Sequence, residues 1–151
     1  MSHVITQEIQ YTAGDRTAME AAARELGGAV IDKKTYEWYG QSVGGYPIPT
    51  GMTAEQIGRC EFAIKFPGIR YEVGICKRAD GAYVLGFDFY GSDGRHDGLK
   101  LKEKVGDNLN KLRQAFSKHK TLLALRRQGF TVRQAQQTDG KIRITALPRH
   151  Q

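Results

Sequence analysis

Four lysines, Lys100, Lys104, Lys111 and Lys118, fall within about 40° of one another on a helix that turns 100° per residue. Ammonium groups in such a row do electrostatic chemistry. Each phosphate they neutralise releases condensed counterions, which drives binding and makes it salt-sensitive. Arg126, Arg127 and Arg133 extend the track. The four lysines have no acidic i±4 partner among themselves, and like charges four residues apart on a helix cost stability, which favours a binding role. The competing reading is a solvated helix face whose lysines keep an apolar stripe soluble.

Two further sets are weighed beside it. Tyr36, Trp38, Tyr39 and Tyr46 could stack on bases or contact a partner next to the basic track. Packing under a neighbouring loop is favoured instead, because strands select aromatics on their own account. Asp88, Asp93, His96 and Asp97 place three carboxylates and one imidazole within ten residues, a weak metal or acid–base candidate. Asp and Gly are also what turns require. With no helical His pair and no Cys-x-x-Cys, no metal site, cofactor or catalytic residue is assigned. Gly-x-Gly-x-x-Gly, Gly-x-x-x-x-Gly-Lys-Ser/Thr and Gly-x-Ser-x-Gly are likewise absent from the sequence, so no nucleotide loop or nucleophile elbow is signalled.

The charge is concentrated. Residues 97–151 hold thirteen Lys/Arg and four Asp/Glu, net +9, and residues 1–96 hold ten and twelve, net −2, which together make the chain's +7. A concentrated basic field attracts an acidic partner, whereas a diffuse one mostly maintains solubility. The chain of 151 residues is long enough for one domain with a real core. It has no apolar run of membrane-spanning length and no N-terminal secretion pattern, so a cytoplasmic protein with no membrane partner is expected. In that setting Cys60 and Cys76 read as two buried thiols rather than a disulfide.

The elements that must position these residues follow from periodicity. Alternation predicts a strand at 3–11, and Asp15 or Thr17 caps a helix with Ala18, Met19, Ala22, Ala23 and Leu26 on its apolar face. Gly27-Gly28 ends it. A second strand spans roughly 29–39. Residues 40–58 carry five glycines and two prolines and read as a long loop. A meander follows, with strands around 61–66, 71–76 and 83–90 and an Asp80-Gly81 turn. Leu101, Val105, Leu109, Leu112, Phe116 and Leu123 then make the stripe of a long helix over 99–128, with Gly106 and Ser117 as its weak points. Strands at 130–136 and 141–147 close the chain. The result is a single α+β domain over 1–151, a mainly antiparallel sheet with two helices on one face, in a ferredoxin-like variant with a long basic second helix.

The opening Met1-Ser2-His3 and the C-terminal ALRRQGFTVRQAQQTDGKIRITAL carry a family resemblance. Gln128-Gly129-Phe130, then Gln134, Gln136, Gln137, Asp139-Gly140 and Ile142-Arg143, resemble an uncharacterised family of small conserved reading frames from algal plastids, cyanobacteria and bacteriophages. The match covers about 25 C-terminal residues and three N-terminal ones. The resemblance implies an intracellular domain and supplies no catalytic residues; within that family, the small size and the basic charge point to a phage-encoded member.

The expected function is therefore non-enzymatic: an accessory or regulatory protein binding nucleic acid or an acidic protein through the 100–133 basic surface, in the cytoplasm of a bacterial host. An adaptor or inhibitor using loop 40–58 and the edge of the C-terminal hairpin is the alternative, with a homodimer left open. A small-molecule domain with a pocket between sheet and loop comes third.

Overall fold

Alternating apolar residues build the central sheet. In the computed structural model, which describes residues 5–38, 57–91, 97–136 and 139–148, strands β1 (Ile5–Glu8), β2 (Ala29–Ile31), β3 (Phe62–Lys65), β4 (Val73–Lys77) and β5 (Tyr83–Phe87) pair in the order β1-β5-β4-β3-β2. Every neighbouring pair is antiparallel. Strands β2 to β5 form a meander, and β1 joins its far edge beside β5. A β-α-β crossover opens the chain, and helix α1 (Arg16–Glu25) carries it from one sheet edge to the other.

Ahead of α1, the Asp15 carboxylate accepts both the Thr12 amide (2.9 Å) and the Thr12 hydroxyl (3.2 Å), and the Asp15 amide donates to the Thr12 carbonyl (2.9 Å), which holds the entering turn. The stretch read as one long helix is helical, and it breaks at Gly106. Helix α2 (Gly98–Val105) and helix α3 (Asn110–Arg127) are separated by a short 3₁₀ turn. Gly106 has φ +84°, and Asn108 (φ 50°) and Leu109 (φ 59°) are also left-handed. Asparagine tolerates that region, whereas leucine is strained there. Leu109 holds it with its side chain fully buried in the core.

The helices cover one face of the sheet. Met19, Ala22 and Ala23 of α1 and Leu112 and Phe116 of α3 pack with Leu101 and Val105 of α2 against Phe62, Ile64, Val73, Ile75, Leu85 and Phe87. Tyr11 bridges the layers, its ring centroid 4.8 Å from Tyr83, 6.0 Å from Phe62 and 5.9 Å from Phe116. The opposite face carries a smaller cluster of Tyr36, Trp38, Ile57, Cys60, Ala63, Cys76 and Val84. The second strand stops at Ile31 rather than running on towards 39. Residues 32–38 leave the sheet edge, touch it again at the Thr35–Arg59 bridge, and lay Tyr36 across the second face. Loop 40–58 lies outside the described residues apart from Ile57 and Gly58.

Beyond α3, Gly129 (φ +92°) turns the chain into β6 (Phe130–Gln136), which pairs antiparallel with β7 (Ile142–Pro148) in a separate two-stranded sheet. A lone hairpin is marginal in water. This one rests on α3, with Phe130, Val132, Ile142, Ile144 and Ala146 half-buried. Among the described residues, no helix is long and apolar enough to cross a membrane.

Candidate functional site

The Gly106 break divides the lysine row. Lys100 and Lys104 share a face of α2, and Lys111 and Lys118 sit on α3. Lys100, Lys104 and Lys111 are exposed, and Lys111 Nζ donates to the Glu103 carbonyl at 3.1 Å. Lys118 is different: its side chain is 11% exposed and pairs with the Glu25 carboxylate of α1, which also contacts His119 Nε2 at 3.1 Å. Lys120 reaches the other end of α1, with its ammonium 3.2 Å from Asp15 and 2.8 Å from the Gln10 carbonyl. Since residues 118 and 120 lie about 200° apart around a helix, these two lysines straddle α1 and fix α3 across it. They serve the fold more than they serve a partner.

These pairs carry a pH signature. Burial acts to raise the Glu25 carboxyl, but the hydrogen bonds and charges of Lys118 and His119 outweigh it and the net shift is downward. Asp15 behaves likewise, with burial opposed by the Thr12 amide and by Lys120. A carboxyl held low in the folded chain contributes stability that is complete above its unfolded value and is lost as the pH falls through the folded value. The α1–α3 contact should therefore weaken below about pH 4. Melting temperatures taken from pH 6 to pH 3 should fall more steeply for the wild type than for an Asp15→Asn/Glu25→Gln variant; parallel curves would overturn this assignment.

Arg126 and Arg127 occupy the last turn of α3, where they also complement the helix dipole. Arg133 lies on β6, in register with Thr145 of β7. The strand period of two then sorts the hairpin. Phe130, Val132, Ile142, Ile144 and Ala146 are half-buried, and Thr131, Arg133, Arg143, Thr145 and Leu147 are exposed. Arg143, and Lys141 beside the turn, are basic residues that reading for a helix row overlooked. The alternation 131, 133 and 143, 145 across Asp139-Gly140 was the signal that could have found them. A groove of about 360 Å³ separates α3 from β7, lined by Ser117, Lys118 and Thr121 on one side and Lys141, Ile142 and Ile144 on the other.

Among the described residues, no carboxylate comes within ion-pair distance of Lys100, Lys104, Arg126, Arg127, Arg133 or Lys141. Earlier in the chain cations are often answered: Arg16 by Asp32 at 2.7 Å, Lys33 by Glu72 at 2.9 Å, and Arg78 by Glu8 at 2.9 Å and Asp80 at 2.8 Å.

The other sets have less to offer. Tyr36 and Trp38 are 0% and 4% exposed. They pack against the sheet, so no open ring face is presented for stacking; Tyr39 and Tyr46 lie outside the described residues. Asp97 is buried and accepts the Arg70 amide at 2.6 Å, and Asp88 accepts the Tyr90 amide at 2.9 Å. Asp93 and His96 lie outside the described residues. Among those described, no group of three or more His, Cys, Asp or Glu is arranged to hold a metal ion. Cys60 and Cys76 are free thiols in the second cluster, pushed up to about 12 by burial. Both stay protonated at neutral pH, the reverse of what a nucleophilic cysteine needs.

No family model matches the chain, and neither the curated proteins nor the solved structures provide a match.

Proposed function

We propose that this chain is a non-enzymatic accessory protein, phage-encoded within the family its termini resemble, that binds nucleic acid through the basic surface of its last third. One observation carries the reading: six exposed cations, Lys100, Lys104, Arg126, Arg127, Arg133 and Lys141, lack a carboxylate partner among the described residues, although the same chain pairs Lys118 and Lys120 with acids on α1. Unneutralised cations repel one another, and a phosphate backbone relieves that repulsion while releasing counterions. The balance of roles moves from the middle of α3 towards its C-terminal turn and the hairpin, because Lys118 is already engaged.

Fluorescence anisotropy of labelled nucleic acids across a salt series tests this. Tight binding at low salt should weaken linearly in log–log form, with a slope near 0.9 per phosphate contact. Arg126→Glu/Arg127→Glu/Arg133→Glu should abolish it, and the slope of the corresponding alanine variant should drop by about 2–3. No micromolar binding to any nucleic acid at low salt would sink the proposal.

A second reading then takes its place, an adaptor for a protein partner. It is favoured by the hairpin, whose strands pair only with each other among the described residues, so that each has an outer edge open to strand addition. Weak salt dependence would mark it.

A further inference from the structure

We infer that the outward face of the β6–β7 hairpin is a ribbon that enters the major groove of B-form duplex DNA, with Arg133 and Arg143 meeting base edges and Arg126, Arg127 and Lys141 holding the flanking phosphates. The inference rests on the nucleic-acid reading above and names its substrate class.

Shape comes first. Two seven-residue strands make a ribbon about 23 Å long, with its strands about 4.8 Å apart. The B-DNA major groove is about 12 Å wide and admits a two-stranded ribbon. The hairpin stands apart from the central sheet as its own two-stranded sheet, seated on α3 by its half-buried apolar side. Its other side is therefore presented outward, and that side carries Thr131, Arg133, Arg143 and Thr145, with Leu147 opposite Thr131 at the base. Arg133 is in register with Thr145, so Arg143 is its diagonal neighbour, about 7–8 Å away at the backbone. Two guanidiniums flanked by hydroxyls on a projecting ribbon match the groove's own code: arginine bonds the O6 and N7 of guanine in a bidentate fork, and threonine reaches either base edges or the thymine methyl.

The alternatives fit less well. Single strands are held by aromatic platforms, but the described outward hairpin residues include no aromatic, and Tyr36 and Trp38 are buried on the second face of the central sheet. Duplex RNA has a deep, narrow major groove that such a ribbon cannot enter. An acidic protein would satisfy the charge without requiring a ribbon of this width.

The placement of the remaining cations follows the geometry of the hairpin's base. Arg126 and Arg127 precede β6 across the Gln128-Gly129 turn, and Lys141 precedes β7 at the opposite end. They thus bracket the ribbon lengthwise, where a duplex seated on it presents its backbones. Contacts of the first kind carry sequence preference; those of the second position the duplex and carry none.

The test uses the full chain with three labelled probes of one sequence pool: a random 24-base-pair DNA duplex, the corresponding RNA duplex and single-stranded DNA. Duplex DNA should bind at least tenfold more tightly than the other two. Arg133→Ala and Arg143→Ala should each lose about 5- to 150-fold on the sequences enriched from the pool, and the double alanine variant should lose more and flatten their preference. Arg126→Ala/Arg127→Ala should weaken all sequences alike and lower the salt slope by about 2. Arg133→Lys/Arg143→Lys, which keeps the charge and loses the fork, should retain overall affinity and lose preference, and it serves equally well if the alanine variant folds poorly. Equal binding of all three probes, or an unchanged preference in the lysine variant, overturns the ribbon while leaving polyanion binding intact. Failure of every probe to bind overturns both.

Discussion

Tyr36→Ala is expected to lower the unfolding free energy by about 3–5 kcal/mol, the range for truncating a fully buried aromatic. The reason is a slot in the sheet. Ala63, Gly74, Gly86 and Thr6 stand in one row across β3, β4, β5 and β1, each in register with the next. The row is small at its centre, and the Tyr36 ring fills it. A Cβ at Gly74 would fall 2.2 Å from a Tyr36 ring carbon, and one at Gly86 would fall 2.5 Å from its hydroxyl oxygen. Gly74→Ala should accordingly cost about 1–3 kcal/mol by overpacking. The two losses should not add. In Tyr36→Ala/Gly74→Ala the new methyl occupies space that the ring has vacated, so the double variant should be more stable than the sum of the single losses implies. Urea denaturation of the four proteins measures the coupling. Strict additivity would mean that the ring does not sit against Gly74.

The second large effect belongs to Glu72. Its side chain is 1% exposed, and its Oε1 accepts both Lys33 Nζ and the Glu37 amide at 2.9 Å, while Lys65 Nζ lies 3.8 Å from Oε2. The Glu72 amide in turn donates to the Glu37 carbonyl at 3.1 Å. One carboxylate thus clamps residues 33–37 to the start of β4, and Tyr36 is carried by that segment. Glu72→Ala strands the Lys33 ammonium and removes the acceptor of the Glu37 amide, so a loss of about 3–5 kcal/mol is expected. Glu72→Gln keeps an oxygen for the amide and loses only the charge, so its loss should be well under half as large. Denaturant midpoints of the two variants decide the matter: equal losses would show that the charge rather than the clamp matters. Because the clamp and the slot hold the same segment, Glu72→Ala and Tyr36→Ala should also couple with each other.

Both effects concern the central sheet, and the proposed interface lies outside it. The hairpin touches α3, and α3 is fixed across α1 by Lys118 and Lys120. Damage to the slot should lower stability without changing the nucleic-acid preference proposed for the folded chain. Charge changes at Arg133 and Arg143 should do the opposite, since both side chains are exposed.

What could be read directly from the chain was whatever repeats over a few residues. The period of two in Phe62 to Phe66 and in Phe130 to Gln136, the helix stripe from Leu101 to Leu123, the Asp80-Gly81 and Asp139-Gly140 turns and the weak point at Gly106 are local patterns, because steric preference and one-sided burial act on neighbours in sequence. The net +9 of the last third needed only counting. Tertiary structure decided everything that depends on distant partners. Lys118 looks like any other member of its row, and its neutralisation by a carboxylate 93 residues away exists only once α3 lies across α1. Tyr36 and Trp38 resemble a platform in a strand pattern, yet the chain leaves the sheet after Ile31 and buries both in the second cluster, with Tyr36 lying over the Gly74–Gly86 row set by the register of four strands and Trp38 beside Gly58. Arg143 gains its place beside Arg133 through the pairing of β6 with β7. Charge and periodicity are properties of the chain itself, whereas the availability of a charge is a property of what the fold brings next to it.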